Sequence, residues 1–134
     1  MLSFEEYLKQ NKVLKREKDA ALKDSLVHDS KDRISQLDIA GIKPKFRFEQ
    51  AYDAVRELTD AFLARDGYKT YSHEAALSYL KKLGLVNDTQ LERLDTCRKK
   101  RHDSKYYGKS FEDAEYEDLT AFLRQIVNLL EKKI

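Results

Sequence analysis

The sequence predicts an all-α protein, an up-and-down bundle of four long helices preceded by a short N-terminal helix. Only one Pro and four Gly occur in 134 residues, and strands joined by tight turns need more of both. Charged residues make up 37% and mix both signs, as exposed helix faces do. Apolar residues also recur at three- and four-residue steps. At this length we expect a single domain over residues 1–134, whose core needs no disulfide or metal.

The first predicted elements are a short helix and a longer one. Ser3, followed three residues later by Glu6, forms the capping-box pattern that starts the short helix. The basic, weakly patterned stretch 11–18 is expected to be a joint leading to a second helix over about 19–40. Gly41 is placed where a glycine commonly ends a helix.

The third helix, over about 45–65, carries the clearest apolar pattern. Pro44 suits its start, and the pair Asp66-Gly67 ends it. Ser72 is the predicted N-cap of a fourth helix that ends at Gly84. The residues expected to face the core are Phe48, Ala51, Tyr52, Val55, Leu58, Thr59 and Phe62 in the third helix and Ala76, Leu77 and Leu80 in the fourth.

Two further helices complete the chain. Asn87 with Gln90 starts the fifth, Gly108 ends it, and Ser110 with Asp113 is expected to cap the last. The last helix is expected to bury Tyr116, Leu119, Phe122, Leu123, Ile126 and Leu130. In the fifth, the inward stripe begins with Leu91 and Leu94 and then turns polar at Asp95, Arg98, Arg101 and His102.

The most informative segment is the end of the fifth helix, residues 98–109. It holds six Lys or Arg residues (98, 99, 100, 101, 105 and 109), one acid, Asp103, and the adjacent Tyr106 and Tyr107. Cations neutralise phosphates and aromatic rings stack on bases, so this segment has what a single-stranded nucleic acid needs. The alternative is that the cations only complement the negative end of the helix dipole. The whole-chain charge of +2 does not decide between the two.

The change from apolar to polar residues along the inward face of the fifth helix raises a second question. Because Arg98 and Arg101 lie on or beside the inward face, they must be paired or hydrogen-bonded. Either they meet carboxylates of a neighbouring helix, such as Asp53, Glu57 or Asp60, or they line a groove where an anion binds. The first alternative is a structural ion-pair network, and the second is a binding site.

Together, these residues resemble the HEPN superfamily, named for "higher eukaryotes and prokaryotes nucleotide-binding". The resemblance lies in the helix Phe48–Leu58, the loop Gly67–Glu74 and the segment Arg101–Gly108, and spans roughly residues 16–132. It implies a helical bundle, commonly a homodimer, that binds RNA or a nucleotide. Many members are metal-independent endoribonucleases of toxin–antitoxin and other defence systems, with a signature Arg followed a few residues later by His.

One position departs from that signature, because Tyr106 stands where the His is expected. In the implied mechanism an RNA 2′-hydroxyl attacks the adjacent phosphate, a His takes the proton, and an Arg stabilises the charged transition state. A free tyrosine has a pKa of about 10 and is a poor base at neutral pH. The expectation is therefore a degenerate ribonuclease site that binds phosphate. The implied site residues are Arg101, His102 and Tyr106 at the catalytic position, Arg98, Lys105 and Tyr107 as phosphate or nucleic-acid contacts, and Asp53 and Glu57 as supporting carboxylates.

The remaining candidate residues have plain structural explanations. His73 is expected to be a capping-turn or surface residue, and His28 to face solvent. Cys97 is expected to be a small core or interface residue. The three histidines and Cys97 have no metal-ligand spacing, so neither a metal nor another cofactor is predicted.

The alternative function is a non-catalytic module that pairs with a small nucleotidyltransferase or another partner protein. In that case Arg98 and Arg101 would be neutralised by acids at an interface. A single cysteine and the lack of any apolar run long enough for a signal peptide or a membrane span predict a cytoplasmic protein.

Overall fold

The computed structural model describes residues 1–134, and six helices cover 72% of them. The helical class is thus confirmed, and the six helices correspond to the six segments predicted in turn, one more than four long helices and one short helix. The elements are α1 (Phe4–Lys9), β1 (Val13–Lys15), α2 (Ala20–Ser35), α3 (Pro44–Asp66), β2 (Tyr68–Thr70), α4 (His73–Lys82), α5 (Asp88–Tyr107) and α6 (Asp113–Lys133). No helix among them has the length and apolar character needed to cross a membrane.

A two-stranded antiparallel sheet is the feature that the sequence did not predict. Val13 lies opposite Thr70, and Lys15 lies opposite Tyr68. The stretch 11–18 is therefore more than a joint between helices, because part of it is a strand. Its pairing is reinforced by the Thr70 hydroxyl, which donates to the Lys12 carbonyl over 2.6 Å.

Most of the predicted helix ends are confirmed. The Ser3 and Ser72 side chains each accept a hydrogen bond from the backbone nitrogen of the third residue of their helix, and Asn87 forms a complete capping box with Gln90. Gly67 ends α3 with a φ of 88°, and a Cβ there would lie 2.8 Å from the Arg16 carbonyl oxygen. Glycine is therefore required where the chain leaves α3 and enters the sheet.

Two predicted helix ends are wrong. α2 ends at Ser35 rather than at Ala40, so Gly41 lies in the following turn and not at the helix end. α6 begins at Asp113 with Glu112 at the N-cap position, and no side chain caps it, so Ser110 does not have the predicted role.

The core is organised around α3, which packs against α2 on one side and α6 on the other. α4 and α5 cover the remaining side. All the core residues predicted for α3, α4 and α6 are buried. Ser30, fully buried on α2, donates to the Ala54 carbonyl of α3 over 3.1 Å, and its small side chain allows these two helices to approach closely.

Candidate phosphate-binding cleft

A cleft lies between the start of α4 and the C-terminal half of α5, and we call it the α4–α5 cleft. Its volume is about 370 Å³, within the usual range for small-molecule sites. It is lined by Tyr71, Ser72, His73, Glu74, Arg98, Arg101, His102, Lys105 and Tyr106. Five of the residues predicted from the end of the fifth helix therefore meet in one place, whereas Tyr107 does not line this cleft.

Arg98 lies on one wall of the cleft and is half-buried, as the polar stripe predicted. Its Nε donates to Asp95 over 2.8 Å, and one terminal nitrogen lies 3.5 Å from Glu74. Burial lowers the pKa of Arg98, but the contacts with Asp95 and Glu74 together outweigh that effect and raise it above its ordinary value. This side chain is thus fixed by two carboxylates, and Glu74 itself belongs to the cleft lining.

Arg101 is held more loosely than Arg98. Its terminal nitrogens lie 3.5 Å from Asp53 and 3.9 Å from Glu49, both on α3. Charge-assisted hydrogen bonds are normally about 2.7–2.9 Å long. The Nε atom of Arg101 is buried and has no hydrogen-bond partner. Arg101 therefore retains hydrogen-bonding capacity that its protein partners do not use.

The two predicted supporting carboxylates have different partners. Glu57 accepts from Nε of Arg33 over 2.5 Å, so it stabilises the α2–α3 contact and lies outside the cleft. Burial raises the pKa of Glu57, while the bond from Arg33 opposes that shift. Asp53 lies between the two arginines, 4.0 Å from Arg33 and 3.5 Å from Arg101. Of the two carboxylates, only Asp53 contacts an arginine of the cleft.

His73, expected to be a surface or capping-turn residue, contributes to the cleft. Its ring is exposed on one side and lies parallel to the buried Tyr52 ring within 7°, with the Tyr52 hydroxyl 3.0 Å from Nδ1. Partial burial, and then repulsion by Arg56 and Arg98, lower the pKa of His73 to about 4. The imidazole is therefore neutral at pH 7 and presents a polar, uncharged face. Its position directly after the N-cap Ser72 is the sequence signal that placed it at the mouth of α4.

Aromatic side chains form the outer rim. The Tyr106 ring is 63% exposed, and the His102 ring lies 4.7 Å from it, centroid to centroid. The Tyr107 ring, also exposed, lies 5.6 Å from the His102 ring, centroid to centroid. Tyr71, from the opposite wall, is 79% exposed. Exposed rings of this kind can stack on the bases of a single strand.

The lining of the cleft carries three cations, Arg98, Arg101 and Lys105, against one carboxylate, Glu74. Carboxylates behind the lining offset part of this charge, since Asp95 contacts Arg98 and both Asp53 and Glu49 contact Arg101. Lys105 is exposed and makes no ion pair with a carboxylate. The arrangement suits an anion with several acceptor oxygens, such as a phosphate group.

The end of α5 is fastened to α6 behind the cleft. The buried Tyr116 hydroxyl accepts from the Phe111 backbone nitrogen over 3.2 Å and lies 3.3 Å from the Ser104 hydroxyl. Ser104 in turn donates to the Lys109 carbonyl over 3.1 Å. These bonds fix the chain on both sides of Gly108, where α5 ends.

The remaining titratable candidates lie outside the cleft. Cys97 is fully buried, as predicted, and burial raises the pKa of its thiol to about 12. His28 faces solvent, also as predicted, with its Nε2 atom 3.4 Å from Asp32. No three His, Cys, Asp or Glu side chains lie together in a group that could hold a metal ion.

The fold and this site define a helical bundle with a cationic, aromatic-rimmed cleft between α4 and α5. No protein-family model, no curated protein and no solved structure matches the chain.

Proposed function

We propose that this protein binds RNA or a nucleotide through phosphate groups in the α4–α5 cleft, as a HEPN-like bundle with a degenerate ribonuclease site. The observation that carries the proposal is the convergence of Arg98, Arg101 and Lys105 around a cleft with a single lining carboxylate. The exposed Tyr71 and Tyr106 rings at its rim support a single-stranded ligand.

The proposal assigns Arg98, Arg101 and Lys105 to phosphate oxygens. Arginine offers planar, forked donors that match a phosphate, and lysine supplies a mobile point charge. Tyr106 and His102 would contact the adjoining nucleotide from the rim. Because Tyr106 stands in place of the signature His, the proposed activity is binding, and metal-independent cleavage of RNA is the outcome that would revise it.

The proposal includes the higher-order features that the resemblance implies. The four long helices α2, α3, α5 and α6 form the up-and-down bundle, and two copies form a homodimer in the cytoplasm. In such a dimer two clefts would converge on one ligand and double the local positive charge, which would steepen the salt dependence of binding.

The test is binding and cleavage of a fluorescent single-stranded RNA by the wild type and by Arg101→Ala, at low and moderate salt. Arg124→Ala is the matched control, because Arg124 pairs with Asp38 away from the cleft. We expect salt-sensitive binding that Arg101→Ala weakens and the control does not. Helical circular dichroism and thermal unfolding verify that each variant is folded.

Two other results would change the proposal. RNA cleavage that is lost in Arg101→Ala would make the protein a ribonuclease despite Tyr106, with His102→Ala as the next variant. No binding by the wild type would refute the nucleic-acid proposal.

One observation favours a second candidate function. Arg98 and Arg101 each lie within 4 Å of two carboxylates, which is what a structural ion-pair network requires. A module that pairs with a nucleotidyltransferase or another protein would use the same surface without binding phosphate. Its association would respond little to salt if the interface were mainly apolar, whereas phosphate binding responds steeply.

A further inference from the structure

A second cavity adjoins the α4–α5 cleft, and we call it the side pocket. It lies between the first half of α2, the second half of α3 and β2, with a volume of about 430 Å³. Tyr71 and His73 line both the side pocket and the cleft. The two cavities are therefore neighbours, and a ligand with a phosphate in the cleft has the side pocket within reach.

The interior of the side pocket is largely apolar. Its apolar lining includes Leu22 and Leu26 of α2, Leu63 of α3 and the Tyr68 ring of β2. These side chains offer a flat ligand apolar contacts on several sides. Half of the lining residues are hydrophobic, whereas only two of the nine residues that line the cleft are. The two cavities thus suit different parts of a ligand.

One ion pair supplies the polar groups inside the pocket. Nε of Arg56 donates to both carboxylate oxygens of Asp60 over 3.1 Å, and one of its terminal nitrogens donates to the Thr70 carbonyl over 3.0 Å. Asp60 remains 33% exposed, so its oxygens can accept a further bond from a ligand N–H group. Because Arg56 neutralises Asp60, this pair offers hydrogen bonding without net charge.

The other charged groups leave the pocket interior near neutral. Arg16 is paired with Asp19 at 3.3 Å. Lys69 is exposed, and its Nζ lies 4.9 Å from the centroid of the Tyr71 ring. Its charge is therefore at the side shared with the cleft. The interior therefore does not suit a second phosphate, because the cations without a carboxylate partner, Lys69 and Lys105, lie on the side of the cleft.

We propose that the side pocket receives the nucleobase of a nucleotide whose phosphate occupies the α4–α5 cleft. This inference rests on the proposed function of the cleft. Tyr71 stands between the two compartments and offers its exposed ring for stacking, and Asp60 accepts from an N–H group on the base edge. The ligand is a base–ribose–phosphate unit, either as a free nucleotide or as one unit of a single-stranded RNA.

The test compares ligands with and without a base by calorimetric titration. Adenosine, guanosine, cytidine and uridine 5′-monophosphates are measured beside ribose 5-phosphate. The wild type is expected to bind at least one of the monophosphates about tenfold more tightly than ribose 5-phosphate, the advantage that one base-stacking contact supplies. A single-stranded RNA hexamer, measured in parallel, distinguishes the source, since an RNA site will bind the hexamer more tightly than any monophosphate.

Two variants probe the pocket itself. Leu26→Trp fills the side pocket and is expected to abolish the advantage of the base while leaving ribose 5-phosphate binding intact. Leu14→Trp is its matched control, because Leu14 is 50% exposed on β1 and lines neither cavity. Should Leu26→Trp fail to fold, Tyr71→Ala tests the same point at an exposed position, with Phe46→Ala as its control.

The outcomes separate this inference from the proposed function. Equal binding of ribose 5-phosphate and all monophosphates, or an advantage that survives both Leu26→Trp and Tyr71→Ala, overturns the base pocket and leaves the phosphate cleft standing. A base advantage that is lost in Leu26→Trp but insensitive to Arg101→Ala supports the pocket and overturns the phosphate assignment. Absence of binding by every ligand, the hexamer included, refutes both.

Discussion

The salt dependence of RNA binding is the prediction that most directly tests the assignment of the three cleft cations. On single strands, each phosphate contact contributes about −0.7 to the slope of log K against log salt concentration. If Arg98, Arg101 and Lys105 each take one phosphate, the slope is about −2. Raising the salt concentration from about 50 to about 200 mM then weakens binding about 20-fold.

The structure also fixes what the slope becomes if the arginines are only structural. Arg98 and Arg101 already contact carboxylates, whereas Lys105 does not. If both arginines remain paired with their carboxylates, only Lys105 neutralises a phosphate and the slope is about −0.7. A homodimer whose two clefts engage one strand would give about −4. The slope thus distinguishes a phosphate cleft, an ion-pair network and a shared dimeric site.

The assay is fluorescence anisotropy of a labelled single-stranded RNA, titrated at several salt concentrations with the wild type, Lys105→Ala and Lys132→Ala. Lys105→Ala should reduce the magnitude of the slope by about 0.7 and lower the affinity at every salt concentration. Lys132, exposed near the end of α6, lies outside the cleft and serves as the matched control. A wild-type slope near zero, or one that Lys105→Ala leaves unchanged, refutes the assignment.

Four further predictions concern Tyr116, His73 and Cys97. Tyr116→Phe removes the acceptor for the Phe111 nitrogen and should lower the free energy of unfolding by about 1 kcal/mol in urea; an unchanged value would show that this bond contributes nothing. The pKa of His73, followed by NMR of its ring protons, should be about 4 and should rise when inorganic phosphate binds, because an anion favours the imidazolium; a phosphate-independent value contradicts binding at the cleft. Since that pKa lies below the value of about 6.5 in the unfolded chain, the unfolded state binds more protons between those values. Stability should therefore fall as the pH drops from about 6.5 towards 4, and the fall should be shallower in His73→Asn. The buried Cys97 thiol, with its pKa raised to about 12, should react with an alkylating reagent only after unfolding, and rapid native-state labelling would contradict its burial.

The helices were predictable because their signals are local. In α3 and α6 the apolar residues repeat along one face, and every residue expected to be buried there is buried. The strands were not predictable, because each has three residues and its partner lies more than fifty positions away in sequence. A run that short shows no alternation, and the two segments come together only in the folded chain, where the sheet packs against α1, α3 and α4.

The ends of α2 and α6 show what a local signal leaves out. Gly41 has the positive φ expected of a helix-terminating glycine, yet the helix has already ended at Ser35 and the glycine serves a later turn. Ser110 has an acid three residues on, but the hydrogen bond that the Tyr116 hydroxyl accepts from the Phe111 backbone nitrogen shapes this loop instead. A local residue pattern can predict a backbone conformation, such as the positive φ of Gly41, but the packing of the chain determines where each helix begins and ends.

Only the part of the candidate site that α5 contributes was predictable from the sequence. Helical spacing places Arg98 and Arg101 on the inward stripe, and both are half-buried. Their partners depend on how helices meet. Asp53 and Glu57 are four residues apart on one face of α3 and look equivalent in sequence, but Arg33 of α2 takes Glu57. His73 was undervalued for the same reason, since its contact with Tyr52 crosses from α4 to α3.

Arg33 and Arg101 both contact carboxylates of α3, but the two contacts differ in length, and this difference bears on which arginine can bind a ligand. Nε of Arg33 and Oε1 of Glu57 are 2.5 Å apart, so this pair is already in close contact and a ligand would gain little by replacing either partner. Arg101 lies 3.5 Å or more from both of its carboxylates, so a phosphate oxygen at normal hydrogen-bonding distance would offer a stronger contact than either. The same carboxylates still hold the guanidinium at the cleft in the absence of ligand, which limits the ordering entropy that binding costs. An arginine that is oriented by its protein partners but incompletely satisfied by them is better suited to receiving an anion than one that is fully paired or fully free.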